Sequence, residues 1–165
     1  MSWLTPFKKI LDRFTNLFYK KKELEIEPSP IGSIIKKEGG YNKNKLKHGK
    51  WIYEYESGQK CCEKTYDNGK QTDIEYKWYE NGQKESEIPY NNDKMDGVWH
   101  HWHNNGKKKW ETTYRNGRTK GYLIEWYKNG NKKYEGRLKD VFRVGEWTYY
   151  NEDGTVREVV DTGKK

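Results

Sequence analysis

A turn-forming residue pair recurs every 24 residues along most of the chain, and this spacing constrains the fold more than any other feature. The pairs are Ser57-Gly58, Asn81-Gly82, Asn105-Gly106, Asn129-Gly130 and Asp153-Gly154. No insertion interrupts the series. A fixed period of this length is typical of stacked repeat units, each of which is one supersecondary element.

Further landmarks keep the same spacing around each turn. A small residue lies nine positions before the second residue of each pair: Gly49, Asp73, Gly97, Gly121 and Gly145. Large side chains follow it at two slots: Trp51, Glu75, Trp99, Leu123 and Trp147, then Glu54, Trp78, Trp102, Trp126 and Tyr150. Past the turn come Lys60, Lys84, Lys108 and Lys132, then Glu63, Glu87, Glu111 and Glu135. Five copies in phase predict five structurally equivalent units.

A second turn signal falls between the first ones, at Asn68-Gly69, Asn92-Asp93, Asn116-Gly117 and Asp140-Val141. Asn-Gly favours the positive φ angles of a type I′ turn, which joins two antiparallel strands. Each unit therefore contains two turns and two strands, which predicts an antiparallel meander. The glycine at the start of each unit predicts a bulge. Pro89 cannot donate to the strand ladder, so we expect a local irregularity there.

The predicted architecture is all-β, an elongated single-layer meander of 24-residue hairpins preceded by one amphipathic α-helix. Residues 1–22 form the helix and residues 23–33, with Pro28 and Pro30, form a linker. Residues 34–165 form the repeat domain. A degenerate half-repeat over 34–48 precedes five units that start near 49, 73, 97, 121 and 145. The chain has no alanine, which disfavours a helical body, whereas aromatic residues suit half-buried strands.

The third unit carries the pattern Gly97-x-Trp99-x-x-Trp102-x-x-Asn105-Gly106, then Glu111-x-x-Tyr114 and Asn116-Gly117. This pattern resembles the MORN repeat variant of the YwqK-type antitoxin family, over residues 38–162. The resemblance implies a single-layer, elongated sheet that contacts proteins or membranes, and an antitoxin or immunity role toward a toxin. Glu75 and Leu123 depart from the pattern at Trp positions, and Asp73 and Val141 depart from it at Gly positions. We expect those units to bend less sharply or to expose less aromatic surface.

The N-terminal segment has apolar residues at helical spacing and an excess of positive charge. Residues 1–22 carry six basic side chains and one acidic one, a net charge of +5 out of +8 for the whole chain. Its candidate docking residues are Trp3, Phe7, Lys8, Lys9, Leu11, Phe14 and Phe18. Three roles fit such a helix: binding in the plane of an anionic membrane, covering the open edge of the sheet, or docking into a partner's groove.

The best candidates for partner binding are aromatic residues of the repeats. They are Trp102, Trp126, Trp110 and Tyr134, and the last two occupy a slot that is Cys62 or Ser86 in other units. A structural repeat does not need this variation, which favours recognition. The competing interpretation is that the rings pack against one another across strands.

Side chains that could act in catalysis or bind a metal do not form a catalytic pattern in the sequence. Four glutamates are expected to form a row on one face, beside basic neighbours such as Lys109 and Lys133: Glu63, Glu87, Glu111 and Glu135. Successive glutamates of the row should lie about 9–10 Å apart, because two strand spacings separate them. This distance suits a solvated charge ladder rather than acid–base chemistry. His101 and His103 share a strand face, but no further ligand motif accompanies them. Cys61 and Cys62 lack a neighbouring base. We therefore expect no enzyme activity, metal, cofactor or small-molecule substrate.

These observations predict a non-enzymatic protein-binding repeat module whose partner is a protein, with a toxin as one specific possibility. The alternative is a peripheral membrane adapter anchored on an anionic surface by the N-terminal helix. Adjacent cysteines and the lack of an uninterrupted apolar leader predict a reducing, cytoplasmic location. Residues 23–165 carry 27 basic and 24 acidic groups, so the repeats are nearly neutral, which disfavours nucleic-acid binding.

Overall fold

The computed structural model describes residues 34–163, with side chains from Glu38 onward. The described residues all belong to one compact unit, Gly32–Lys165. The predicted N-terminal helix and its candidate docking residues therefore lie outside the described part of the chain.

The described residues form one antiparallel sheet in which strands that are consecutive in sequence are neighbours in space. Its strands are β1 Ile34–Tyr41, β2 Lys47–Tyr55, β3 Lys60–Asp67, β4 Lys70–Trp78, β5 Lys84–Asn91, β6 Lys94–Met95, β7 Gly97–Trp102, β8 Lys108–Arg115, β9 Arg118–Trp126, β10 Lys132–Lys139, β11 Phe142–Tyr150 and β12 Val156–Asp161. The two-residue β6 pairs with β5 alone, and every other strand follows the meander. This confirms the predicted all-β meander. Residues 34–163 contain no helix, hence none that is long and apolar enough to cross a membrane.

The two turns of each unit have the geometry that their sequences favour. Asn68 and Gly69 both have positive φ, 48° and 84°, which is the type I′ geometry, and the equivalent pairs in the next units share it. The other turn is a three-residue loop that ends in a left-handed glycine. In unit 1 the Tyr55 amide donates to the Gln59 carbonyl at 2.8 Å, and the Gly58 amide donates to the Tyr55 carbonyl at 2.9 Å. The same two bonds recur in the other four units.

The glycine that opens each unit lies at a bulge, as predicted. In unit 2, Glu63 pairs with Tyr76 but Thr65 pairs with Thr72, so the register shifts around Asp73. Asp73 keeps the positive φ of the glycines, at 65°. Asp73 therefore adopts the positive-φ conformation of the glycine that it replaces. Val141, which replaces the glycine of a type I′ turn, does the same, with a φ of 66°.

Pro89 interrupts its strand pairing, also as predicted. β5 pairs with β6 at Tyr90 and with β7 at Glu87, and the two pairings have different registers. A Cβ on Gly97 would lie 2.7 Å from the Pro89 Cγ, so the tight approach of proline requires glycine there.

A second bulge in each unit was not predicted from the sequence. Between β7 and β8, His101 pairs with Trp110 but Trp102 pairs with Lys108, which leaves Lys109 as the extra residue. Lys133 is its equivalent in unit 4. The bulge turns both lysines away from the glutamate row that the sequence suggested they accompany. Lys109 lies beside His101, and Lys133 pairs with Glu125 at 2.9 Å.

The register assigns the side chains to two faces. We call core face the one that carries Trp51, Trp99, Trp110, Tyr114, Tyr134, Leu138 and Trp147, all of which are buried. Trp147 is fully buried and lies over Gly136, its directly paired neighbour, where an added Cβ would lie 2.2 Å from the indole. We call ladder face the opposite one, which carries the repeated glutamates. Alternation along each strand separates the two sets.

A candidate protein interface on the ladder face

Directly paired residues form a continuous row across the ladder face. From β2 to β11 the row reads Ile52, Glu63, Tyr76, Glu87, His100, Glu111, Ile124, Glu135 and Thr148. The predicted glutamate row is therefore confirmed, with successive glutamates two strands apart, about 9–10 Å. Between the glutamates lies a residue whose identity changes from unit to unit.

Each glutamate is paired with the lysine three residues before it. The Nζ–Oε distance is 3.0 Å for Lys60–Glu63 and 2.7 Å for both Lys108–Glu111 and Lys132–Glu135. Three of these lysines also lie over an aromatic ring of the following unit. Lys60 lies 5.1 Å from the centre of the Trp78 ring, and Lys84 and Lys108 lie 5.6 and 5.3 Å from Trp102 and Trp126.

In two of these lysine–glutamate–aromatic triplets, the neighbouring groups favour the charged form of the carboxylate. Hydrogen bonding and charge from Lys50 and Lys60 lower the pKa of Glu63. Burial raises the pKa of Glu135, but hydrogen bonds from Lys132 and Tyr150 outweigh it, and the net shift is downward. The lysines are 42–48% exposed, and pairs this open contribute little to stability, about 0–1 kcal/mol each. Their main effect is to fix the position of the side chains.

Two further rows on the ladder face vary between units. The first consists of the residues that alternate with the glutamates: Ile52, Tyr76, His100, Ile124 and Thr148. The second lies two residues earlier in each of these strands, nearer to the type I′ turns. It consists of Lys50, Ile74, Val98, Tyr122 and Glu146. Tyr122 is 61% exposed and Val98 is 42% exposed. Trp78, Trp102 and Trp126 are partly exposed and lie on the other side of the glutamate row. We call these tryptophans and the exposed Val98 and Tyr122 the patch, and Lys50 and Glu146 lie at the two ends of the second row.

The four aromatic candidates do not form one surface. Trp102 and Trp126 lie on the ladder face, at equivalent positions of neighbouring units, and both are partly exposed. Trp110 and Tyr134 lie on the core face and are buried, at 6% and 5% exposure. Trp110 meets Trp99 at 3.9 Å between ring centres and stacks on His101 at 5.0 Å. The exposed residues Val98 and Tyr122 were missed, although strand alternation counted from the Trp102 slot would have found them.

The core face contains a buried polar cluster at the unit where Glu75 replaces tryptophan. The Gln71 amide donates to Glu75 at 2.7 Å, and Lys64 and Lys77 lie 3.6 and 3.4 Å from its carboxylate. Burial raises the pKa of Glu75, but the charges of Lys77 and Lys64 outweigh burial, so its pKa is lowered. Beside it, burial and the Glu75 charge raise the pKa of the Cys62 thiol to about 12, which disfavours the thiolate.

The histidines do not converge in the part of the chain that the structure describes. Burial and Lys109 lower the pKa of His101 to about 3, so this ring is neutral. The His103 Nε2 lies 3.1 Å from the Trp126 carbonyl, in a position equivalent to the tyrosine hydroxyls of Tyr55 and Tyr79 in earlier units. Among residues 34–163, no group of three or more His, Cys, Asp or Glu side chains is arranged to hold a metal ion.

Comparison with known proteins supports the sequence repeat, because one repeat-family model matches part of the chain. None of the curated proteins compared with this chain is significantly similar to it. The family model of the MORN repeat variant matches residues 47–68, 74–92 and 143–162, which together are less than half of the chain. These segments fall in the first, second and fifth units. Three of the five units therefore match the MORN repeat variant in sequence.

Proposed function

We propose that this chain is a non-enzymatic protein-binding repeat module and that it binds its partner on the ladder face. The observation that carries the proposal is the division of that face into a constant frame and variable, exposed positions. Lysine, glutamate and a large aromatic residue recur in successive units, whereas Ile74, Val98 and Tyr122 differ and are partly or largely exposed. A scaffold alone does not need exposed positions that vary. In recognition, the recurring tryptophans supply contact area and the variable positions supply specificity.

The composition of the patch fits a protein partner. Interfaces between proteins have apolar, aromatic-rich centres and polar rims, and tryptophan and tyrosine carry much of the binding energy. Trp102 and Trp126 supply such centres. The paired lysines and glutamates around them leave little net charge, which disfavours a polyanion such as a nucleic acid as the ligand.

The narrower proposal is an immunity role, in which the partner is a toxin. It rests on the resemblance of the repeat pattern to YwqK-type antitoxins. If it is correct, co-expression with the product of a neighbouring toxin-like gene will restore growth, and a chain with Trp102→Ala and Trp126→Ala will not. Growth inhibition that persists with the unmodified chain contradicts the immunity role.

The membrane-adapter alternative rests on the +5 charge of residues 1–22 and on the helical spacing of their apolar residues in the sequence. It predicts binding to vesicles that contain anionic lipid, lost on deletion of residues 1–22 and weakened by salt, because screening reduces attraction between charges. Vesicle binding that survives the deletion contradicts it.

Affinity capture tests the main proposal directly. The unmodified chain, the Trp102→Ala/Trp126→Ala variant and an Arg118→Ala control are used as baits under the same conditions. Arg118 is exposed at the type I′ turn edge, away from the patch. We expect one protein partner to be retained by the unmodified chain and the control and lost by the double variant. A partner retained equally by all three baits contradicts the ladder face as the binding surface.

A further inference from the structure

We propose that the ladder face takes a proline-rich segment in the polyproline II conformation, with one turn of the ligand on each of units 2 to 5. This inference deepens the proposed function and rests on it. The relevant surface is the aromatic row Trp78, Trp102, Trp126 and Tyr150, at the ends of β4, β7, β9 and β11.

The first argument is the spacing of the row. Its members lie on every second strand of the sheet, because β5, β8 and β10 intervene. Neighbouring strands are about 4.7–4.9 Å apart, so successive aromatic residues are about 9.4–9.8 Å apart. A partner that meets the row with equivalent side chains must therefore repeat at this distance.

Polyproline II is the regular backbone conformation that matches this distance. It has three residues per turn at about 3.1 Å each, a repeat of about 9.3 Å. Two turns of an α-helix span about 10.8 Å. Across the three intervals from Trp78 to Tyr150 the polyproline mismatch stays near 1 Å, whereas the helix is displaced by about 3–4 Å. An extended strand presents one face every two residues, about 6.7 Å, and does not match at all.

The second argument is the chemistry of the row. Grooves that bind proline-rich segments are lined by aromatic side chains, which contact the rings of a preformed, low-entropy ligand. Polyproline II makes no internal hydrogen bonds, so its carbonyls are free to accept. Lys84, Lys108 and Lys132 alternate with the aromatic residues and are 42–48% exposed. Each ammonium has three donors, and its paired glutamate uses only part of them.

The third argument is charge. The lysines Lys84, Lys108 and Lys132 are each paired with a glutamate of the same unit, so the triplets are neutral overall. A neutral, carbonyl-rich ligand is therefore better matched to this row than a strongly acidic or basic one.

Fluorescence anisotropy with labelled synthetic peptides tests the inference on the full chain. The peptides contain two, three, four or six copies of Pro-Pro-Gln. Each aromatic contact supplies a gain of about 2- to 12-fold in affinity. We expect affinity to rise by such a factor per added turn up to four turns, because the row has four members, and then to level off. Absence of binding, or affinity that does not depend on the number of turns, overturns the proposal.

Variants and control peptides sharpen the test. Trp102→Ala should lower the affinity for the four-turn peptide by about 2- to 12-fold, Trp102→Phe should retain most of it, and Arg118→Ala should leave it unchanged. A peptide of the same composition with irregular proline spacing should bind more weakly. Equal binding of the irregular peptide, or of a helical peptide with a seven-residue repeat, overturns the period match. If proline peptides fail while capture still depends on Trp102 and Trp126, this inference falls and the proposed function stands.

Discussion

The two faces of the sheet are built from the same 24-residue units, yet they accommodate sequence variation differently. On the core face, residues that differ between units are matched by their cross-strand neighbours. Trp147 is accommodated by Gly136, and Glu75 at another tryptophan slot is surrounded by Lys64 and Lys77. On the ladder face, Val98 and Tyr122 vary and stay exposed. Sequence variation on the core face is therefore absorbed by packing. On the ladder face it produces an exposed surface that is available for recognition.

The largest expected contrast is between tryptophans on opposite faces. Trp147→Ala removes a fully buried indole and should lower the free energy of unfolding by about 3–5 kcal/mol. Trp126→Ala removes a partly exposed ring and its lysine contact, and should cost about 1 kcal/mol. Urea unfolding followed by circular dichroism measures both. Equal losses would erase the distinction between the faces.

The close approach at Gly136 gives the next effect. Gly136→Ala places a methyl group 2.2 Å from the Trp147 ring and should destabilise the fold by about 1–3 kcal/mol through overpacking. Gly40→Ala is the matched control, because its nearest neighbour lies at 3.8 Å. The control should change stability by less than about 1 kcal/mol. The comparison fails if the two variants behave alike in the same unfolding experiment.

The buried charge cluster makes the core face sensitive to pH. Glu75→Gln keeps the shape but leaves Lys64 and Lys77 without their carboxylate, and should cost about 1–2 kcal/mol at pH 7. Because the folded-state pKa of Glu75 is lowered, its contribution is present above about pH 4.5 and is lost as the pH falls through the folded value. The gap between the unmodified chain and the variant should therefore close in acid. A gap that widens as the pH falls would contradict the assignment.

The smallest effect concerns the strained turn of unit 4. Val141 adopts a φ of 66°, which a β-branched residue disfavours, and the equivalent residue of unit 3 is Gly117. Val141→Gly should raise the free energy of unfolding by about 1 kcal/mol, since the relief of strain exceeds the added flexibility of the unfolded chain. Gly117→Val should have the opposite sign. Thermal unfolding of both variants checks the pair, and a loss of stability in Val141→Gly contradicts it.

Much of the fold could be predicted because turn chemistry repeats in the sequence. The pair Asn68-Gly69 predicts its turn type, Gly97 predicts its bulge, and Pro89 predicts its broken pairing, since each depends on local backbone preference. The second bulge was not predictable in this way. Its extra residue is Cys61, Glu85, Lys109, Lys133 or Arg157 in successive units, and no residue type marks it.

The unpredicted bulge also explains why the site residues were only partly found. An extra residue after the turn changes which side chains share a face, so Trp110 and Tyr134 fall on the core face rather than beside Trp102. Side-chain identity alone does not distinguish a packed tryptophan from an exposed one. This extra residue lies in the second strand of each unit. It does not affect the first strand between the Val98 and Trp102 slots, where simple alternation holds.

Hydroxyl-radical footprinting read out by mass spectrometry tests most directly whether the repeats present two distinct faces. Tryptophan side chains react with the radical in proportion to their exposure, and seven of them lie in the described residues. We expect oxidation of Trp78, Trp102 and Trp126 and protection of Trp51, Trp99, Trp110 and Trp147. Equal oxidation of the two sets, or protection of the first set and oxidation of the second, would contradict the account.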